Sequence, residues 1–222
     1  MSIIVEFIQK LGPSIQARTI EHIILTFSAM AIAIAIALPL GIYLTRCRWP
    51  RLVSAILSVV GVIQTIPSLA LIAFIMLIFT FLPFRTVGMT PAIVALVMYA
   101  LLPILRNTYT GIRQVDPAVV EVARGMGMTS SQILFRVELK LSLPVIMAGI
   151  RISTVWTIGV ACLVTLIGGG GLGDLIMRGL RSIHLDLMLA GTIPAAALAI
   201  AFDWFLGRLE DWLVPAGLKQ EN

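Results

Sequence analysis

Asp116 to Lys140 reads DPAVVEVARGMGMTSSQILFRVELK, a hydrophilic stretch of 25 residues set between long apolar runs. Asp116 followed by Pro117 is a helix N-cap with proline in the first helical position, and Val119, Val122, Ala123 and Met126 fall at i, i+3, i+4 and i+7. That spacing predicts one short amphipathic helix. Gly125, Gly127 and Thr129 interrupt it, and Thr129-Ser130-Ser131-Gln132 has the capping-box pattern that starts a second helix. On the second helix Gln132, Arg136 and Lys140 share a polar side, while Ile133, Leu134, Val137 and Leu141 supply an apolar one. Two readings stay open: an ordinary loop lying on the bilayer surface, or a docking element for a partner outside the membrane.

The flanks decide the class. Hydrophobic residues make up 59% of the chain and charged residues 12%, with a mean hydropathy of +1.03, far outside the globular range. The chain reads as an all-α polytopic membrane protein, a single transmembrane domain over residues 1–222 with a loop at 113–142. A net charge of +5 would suggest nucleic acid in a soluble protein. Here most Lys and Arg sit between apolar runs, where they set orientation, and no nucleic-acid partner is expected. Glu6, Lys10, Arg18 and Glu21 break up the N-terminal region, so no cleavable signal peptide is expected and the first apolar run should remain in the mature protein.

Ile23 to Thr45 is 23 uncharged residues, as a helix about 34 Å, enough to cross a hydrocarbon core of about 30 Å. Its Ala31 to Ala37 segment alternates with period two, but a lone strand would leave its backbone unsatisfied in lipid, so helix is expected. Ala29, Ala33, Ala37 and Gly41 make a small-residue stripe for close helix packing. Leu52 to Phe84, 33 residues, is longer than one span needs and holds Gln64, Thr65, Pro67 and Ser68 near its middle. A broken helix is expected there, because proline removes a donor and disfavours helix at Ile66. Irregular backbone at membrane depth lines protein or a water-filled cavity, which makes these four residues the candidate translocation pathway. Further spans are expected at roughly Pro91 to Leu105, Leu143 to Ile167 and Leu187 to Leu206. The fourth carries its own stripe of Gly149, Ser153, Thr157, Ala161 and Thr165.

About five spans put the termini on opposite sides. If the central loop is cytoplasmic, that side holds eleven Lys and Arg (Arg46, Arg48, Arg51, Arg106, Arg113, Arg124, Arg136, Lys140, Arg151, Arg208 and Lys219) against five (Lys10, Arg18, Arg85, Arg178 and Arg181). The count favours an external N-terminus and a cytoplasmic C-terminus in a cell membrane.

Several tempting motifs carry no chemistry. Gly168 to Gly173 satisfies a G-x-G-x-x-G search, yet it follows a membrane span rather than a strand of a soluble β-α-β unit. No G-x-x-x-x-G-K-[ST] occurs, so ATP hydrolysis would belong to a partner and no cofactor is expected on this chain. His22 and His184 have no metal-ligand companions and suit packing at span ends; Cys47 and Cys162 suggest neither disulfide nor metal. Arg151 and Asp203 could pair, with snorkelling the simpler account of each. Trp49, Trp204 and Trp212 read as interface anchors, and Trp156 packs inside span four or faces a translocating cation. No convergent acid, base, nucleophile or metal ligands lie in the spans, so an enzyme is not expected. A secondary carrier also uses broken helices, but has no need of a docking loop.

The central loop resembles that of permease subunits of bacterial ATP-binding-cassette importers of the type I fold, whose pattern is Glu-Ala-Ala, three residues, Gly, nine residues, Ile, any residue, Leu-Pro. Glu121, Ala123 and Gly127 match in spacing, Val122 stands at the second position, Val137 and Leu139 match the tail, and Lys140 stands in place of proline. Leu143-Pro144 then offers a terminator for the second helix one turn later. From His22 to Leu218 the chain more closely resembles osmoprotectant permeases that import glycine betaine, choline, carnitine and related compounds. The matching strings are QTIPSLA (Gln64 to Ala70), YALLPILRNTYTGI (Tyr99 to Ile112), GMGMT (Gly125 to Thr129), LPVIMAGIR (Leu143 to Arg151) and IGGGGLGD (Ile167 to Asp174). The resemblance implies an external position for the glycine loop and three kinds of partner: a cytosolic ATPase dimer, a second permease subunit identical or homologous to this one, and a substrate-binding protein outside the membrane. Because the chain stops at Asn222, that receptor should be separate. The resemblance also implies that Glu121, Ala123, Arg124, Gly125, Met126, Gly127, Met128 and Thr129 couple the chain to the ATPase. Glu121 would pair with a basic groove residue or with its own Arg124. A permease for another small solute, such as an amino acid, is the alternative.

Overall fold

The computed structural model describes residues 2–214, with side chains from Leu11 onward; Lys219 and the stretch to Asn222 lie outside the described residues. The first apolar run extends at both ends into α1 (Ser2–Arg46), which holds Pro13 and Pro39 without breaking. α2 (Pro50–Thr65) and α3 (Ser68–Thr80) follow, bent by 108° at the break. α4 (Met89–Arg113), α5 (Pro117–Gly125) and α6 (Ser130–Ile133) come next, and a π-helical turn (Leu134–Glu138) joins α6 to α7 (Leu139–Ala161). A 3-10 turn (Val164–Ile167), α8 (Gly173–Ser182) and α9 (Leu185–Leu213) complete the described chain.

Two long-range contacts define the ends of the bundle. At one end His22 of α1 meets the carbonyl of Ile158 in α7; at the other Arg46 of α1 pairs with Glu138. α7 is thus antiparallel to α1 and crosses the same layer. The backbone N–H of Gly88 donates to the Ile167 carbonyl at 2.7 Å, which brings the start of α4 to the His22 end. Since α2 begins just after Arg46, the bent pair joins opposite ends and is a broken span, not a re-entrant hairpin. α9 starts against α8, with Gly191 packed on Leu172 and Ile176, and runs back toward the Arg46 end. α1, α4 and α9 are each long and apolar enough to cross a membrane, and the bent pair makes a fourth crossing. α7 has the length, 23 residues, but carries Arg151 and several hydroxyls; its place between both ends makes it the fifth.

Both small-residue stripes lie in the core. Ala29, Ala33 and Ala37 are fully buried, and a Cβ on Gly41 would stand 2.8 Å from Thr108 of α4. On α7 the Ser153 hydroxyl donates to the Ala100 carbonyl at 2.7 Å, and the Thr157 hydroxyl contacts the Met30 sulfur at 3.6 Å. A Cβ on Gly149 would meet the Pro103 carbonyl at 2.8 Å. With no hydrophobic drive between helices in lipid, such backbone approach and interhelical hydrogen bonding hold α1, α4 and α7 together.

Two expectations are corrected. The second loop helix does not end at Leu143-Pro144: Pro144 lies inside α7, and Ser130 to Ala161 is helical throughout, passing the π turn. The fourth span's helix stops at Ala161, and the chain continues as the 3-10 turn.

Gly149→Ala should lower thermal stability in detergent by about 1–3 kcal/mol, because a backbone carbonyl cannot move aside for the methyl. Gly61→Ala, with nothing within 4 Å of the new Cβ, should leave it unchanged or raise it. Fluorescence-detected size exclusion after heating checks both; equal shifts would contradict the packing.

Candidate functional site

The loop beyond the Arg46 end is built by local caps. The Asp116 carboxylate accepts from Ala118 N–H at 2.8 Å and starts α5. At its other end Met128 N–H reaches the Ala123 carbonyl and Gly127 N–H the Arg124 carbonyl, a Schellman closure with Gly127 at φ +80°. Thr129 and Gln132 then form the capping box, with bonds of 2.8 and 3.3 Å. The loop is therefore a defined shape.

Of the apolar stripe expected on α5, Ala123 alone is buried. Val122 is 62% and Met126 71% exposed, and Val119 is exposed too, because the helix lies on the bundle through its small residue and turns the larger ones outward. Phe135 within the π turn is 62% exposed. Glu121 and Arg124 are exposed, and among the described residues they make no ion pair with each other. The buried charge here is Glu138, which sequence reasoning passed over. It is the one buried residue of the π turn, and no pattern in the sequence marks it.

At the break in the second span, Ile66 and Pro67 are extended. Thr65 and Pro67 are exposed, whereas Gln64 and Ser68 are half-buried. Gln64 turns inward and donates its amide N–H to the Tyr99 carbonyl at 3.0 Å. That carbonyl lacks its helical partner because residue 103 is proline. In return the Tyr99 hydroxyl donates to the Ile66 carbonyl at 2.6 Å, which the break has freed. Tyr99 could have been inferred from the need of that carbonyl for a donor, but not located.

The His22 end holds a cluster that no motif signalled. Gly168, Gly170 and Gly171 have φ near +80°, and the Gly171 and Leu172 N–H groups donate to the Glu21 carboxylate at 2.9 Å and to His22 Nδ1 at 3.3 Å. Since Ile158 offers a carbonyl, His22 Nε2 carries the proton at 3.1 Å, and packing accounts for this histidine. Arg18 bridges Glu21 at 2.7 Å and Asp174 at 2.9 Å.

Between α7 and α9, Arg151 does not merely snorkel. It binds Asp203 through two bonds of 3.0 and 3.1 Å and Glu210 through one of 3.1 Å, at the side of a groove of about 950 Å³. Arg208 stacks over Trp204 in the same groove, 5.4 Å from the ring centre. Trp156 is exposed rather than packed inside the span. No group of His, Cys, Asp and Glu among the described residues could hold a metal ion.

Five crossings, a capped loop outside them and a broken second span are the anatomy of a transport permease. Residues 37–215 match the binding-protein-dependent transport system inner membrane component family. The chain belongs to that family. The carnitine transport permease protein OpuCB of Listeria monocytogenes is 46% identical over 220 residues, 99% of this chain and 97% of that one. The choline transport system permease protein OpuBB of Bacillus subtilis (strain 168) is 45% identical over 217 residues, covering 98% and 96%. Among solved structures, an inward-facing conformation of the MetNI methionine ABC transporter aligns with a TM-score of 0.80 at 22% identity, covering 90% of this chain and 97% of that one. That likeness carries the fold alone. The chain is a multi-pass permease, not an enzyme.

Gly127→Ala in this permease should speed amide exchange at Met128 about tenfold, since a side chain at left-handed φ costs ~1–2 kcal/mol. Gly127→Pro, which also removes the N–H bound to Arg124, should do more. Gly125→Ala should leave exchange unchanged, because Gly125 is helical with open space around it. Equal exchange in Gly127→Ala and Gly125→Ala would remove the case for a built loop closure.

Proposed function

We propose that the chain is the membrane subunit of an ATP-driven importer of osmoprotectants such as glycine betaine, carnitine or choline. The observation that carries this reading is the near-full-length similarity, above 40% identity, to permeases named for those solutes. In this reading the Arg46 end is cytoplasmic, the N-terminus external and the C-terminus cytoplasmic, as the eleven-to-five distribution of Lys and Arg favours.

The loop over Glu121, Ala123, Arg124, Gly125, Met126, Gly127, Met128 and Thr129 docks a cytosolic ATPase. Its support is physical: Val119, Val122, Met126 and Phe135 are exposed apolar groups on a segment outside the spans, and an amphipathic helix of this kind fits a groove on a partner. Complete burial of Val122 or Met126 would contribute about 1.5–3 kcal/mol each. ATP is held and hydrolysed by the partner. Because Ser130 to Ala161 is continuous helix, motion of the docked loop turns α7 directly.

The pathway forms with a second permease subunit and passes the break at Gln64, Thr65, Pro67 and Ser68. The break carries no fixed charge, so it offers no deep trap for a cation in transit, and selection falls to a separate substrate-binding protein outside.

Orientation is tested on single-cysteine variants, because Cys47 lies at the Arg46 end and Cys162, where α7 ends, at the His22 end. With Cys162→Ala, an impermeant thiol reagent should label Cys47 only after the cells are permeabilised; prompt labelling of intact cells would invert the topology.

Reconstitution of the permease with its ATPase and receptor should give ATP-dependent uptake of glycine betaine, choline or carnitine. Uptake of a neutral amino acid alone, without competition from any quaternary amine, would overturn the substrate while leaving the permease assignment in place.

A further inference from the structure

Glu138 is buried, 5% exposed, and its recorded partner is the guanidinium of Arg46, 92 residues away at the end of α1. It closes the π turn, in which Leu139 N–H reaches back five residues to the Leu134 carbonyl. π turns are rare single insertions in helices and recur at functional joints. This one lies between α6 and α7, where loop becomes span. A cavity of about 220 Å³ adjoins the pair, and Arg124 and Glu121 of α5 line it together with Arg46 and Glu138. Arg113 at the end of α4 lines it too, so three cations, from α1, α4 and α5, share a chamber with two acids, of which Glu138 alone is buried.

The two halves of the pair differ in freedom. Arg46 is half-exposed, with 48% of its side chain accessible, so it can be released to water. Glu138, at 7%, cannot be left without a cation. The pair therefore cannot simply open; it can exchange one arginine for another.

We propose that Arg46 and Glu138 are positioning residues for coupling. The pair ties α1 to the π-helical joint, and Arg124 takes over Glu138 when α5 shifts, so that displacement of the loop reaches α1 and α7 as one movement. This rests on the reading of the chain as an ATP-driven importer.

The test uses the complete assembly of permease, ATPase and receptor in proteoliposomes, with solute taken up per ATP hydrolysed as the readout. Glu138→Gln, Arg46→Gln and Arg124→Gln should each lower that ratio at least about fivefold, the low end of coupling energies between sites. Arg46→Lys should stay near wild type. Combining Glu138→Gln with Arg46→Gln or with Arg124→Gln should be no worse than Glu138→Gln alone, because all three act through one contact. A wild-type ratio in Glu138→Gln overturns the proposal, and so do additive losses in the double variants. Loss of the single variants from the membrane, with Arg46→Lys lost as well, would make the pair a structural staple and equally overturn it. Failure of the wild-type assembly to take up solute with ATP would instead strike the importer reading.

Discussion

Pro103 deprives the Tyr99 carbonyl of its helical donor and the break before Pro67 frees the Ile66 carbonyl, and the structure closes both gaps with two side chains. Gln64 reaches from the broken span to the Tyr99 carbonyl, and Tyr99 reaches back to the Ile66 carbonyl. In hydrocarbon an unmet backbone group costs several kcal/mol, so without this exchange the second span could not turn through 108° beside α4. The same constraint governs the glycine loop at the His22 end. There the chain leaves the helix, and the Gly171 and Leu172 N–H groups are taken by Glu21 and His22 of α1. Each irregular stretch is bonded to a neighbouring straight rod, which is why irregularity is tolerated at all.

The straight rods are held by the opposite device, the near absence of side chains. Gly41, Gly111 and Gly149 let α1, α4 and α7 approach until backbone and short hydroxyls touch. Such contacts leave little room for adjustment, so the three helices act as one body. α9 and the bent second span meet this body over less of their surface and show large apolar side chains outward, among them Phe74, Leu77, Ile200 and Phe205. The bent span and α9 are the parts free to shift against this body, whose three helices move together.

Much of this was legible in the sequence because it depends on local rules. Span positions follow from charge-free length, the break from Pro67, the loop caps from Asp116, Gly127 and Thr129, and the stripes from fourth-position spacing. What could not be read was choice of partner. Arg46 with Glu138, Arg151 with Glu210 and Tyr99 with Ile66 join residues 92, 59 and 33 positions apart, and no local pattern distinguishes them from other arginines, acids and carbonyls. The end of the second loop helix was misplaced for a related reason. Proline was read as a terminator, but Pro144 sits in a helix whose neighbours on α4 and α9 hold its course, and packing overrode the local cost.

Depth decides what exposure means. Exposed Phe74 and Ile200 lie on the spans, where hydrocarbon covers apolar surface at no cost, whereas exposed Val122, Met126 and Phe135 lie past the Arg46 end, where the solvent is water. The same apolar surface is at rest in one place and costly in the other, and only the second invites a protein to cover it. For charge the sign reverses. Arg46 at the bundle's end can turn to water, but Arg151, near the middle of α7, cannot be lipid-facing without great cost. It is met by two acids from α9, and the groove beside them is lined by Arg208 and Asp211 as well. A face carrying that many charges within two membrane helices belongs against water or protein, so α9 is apolar toward lipid along one side and committed to a polar neighbour along the other.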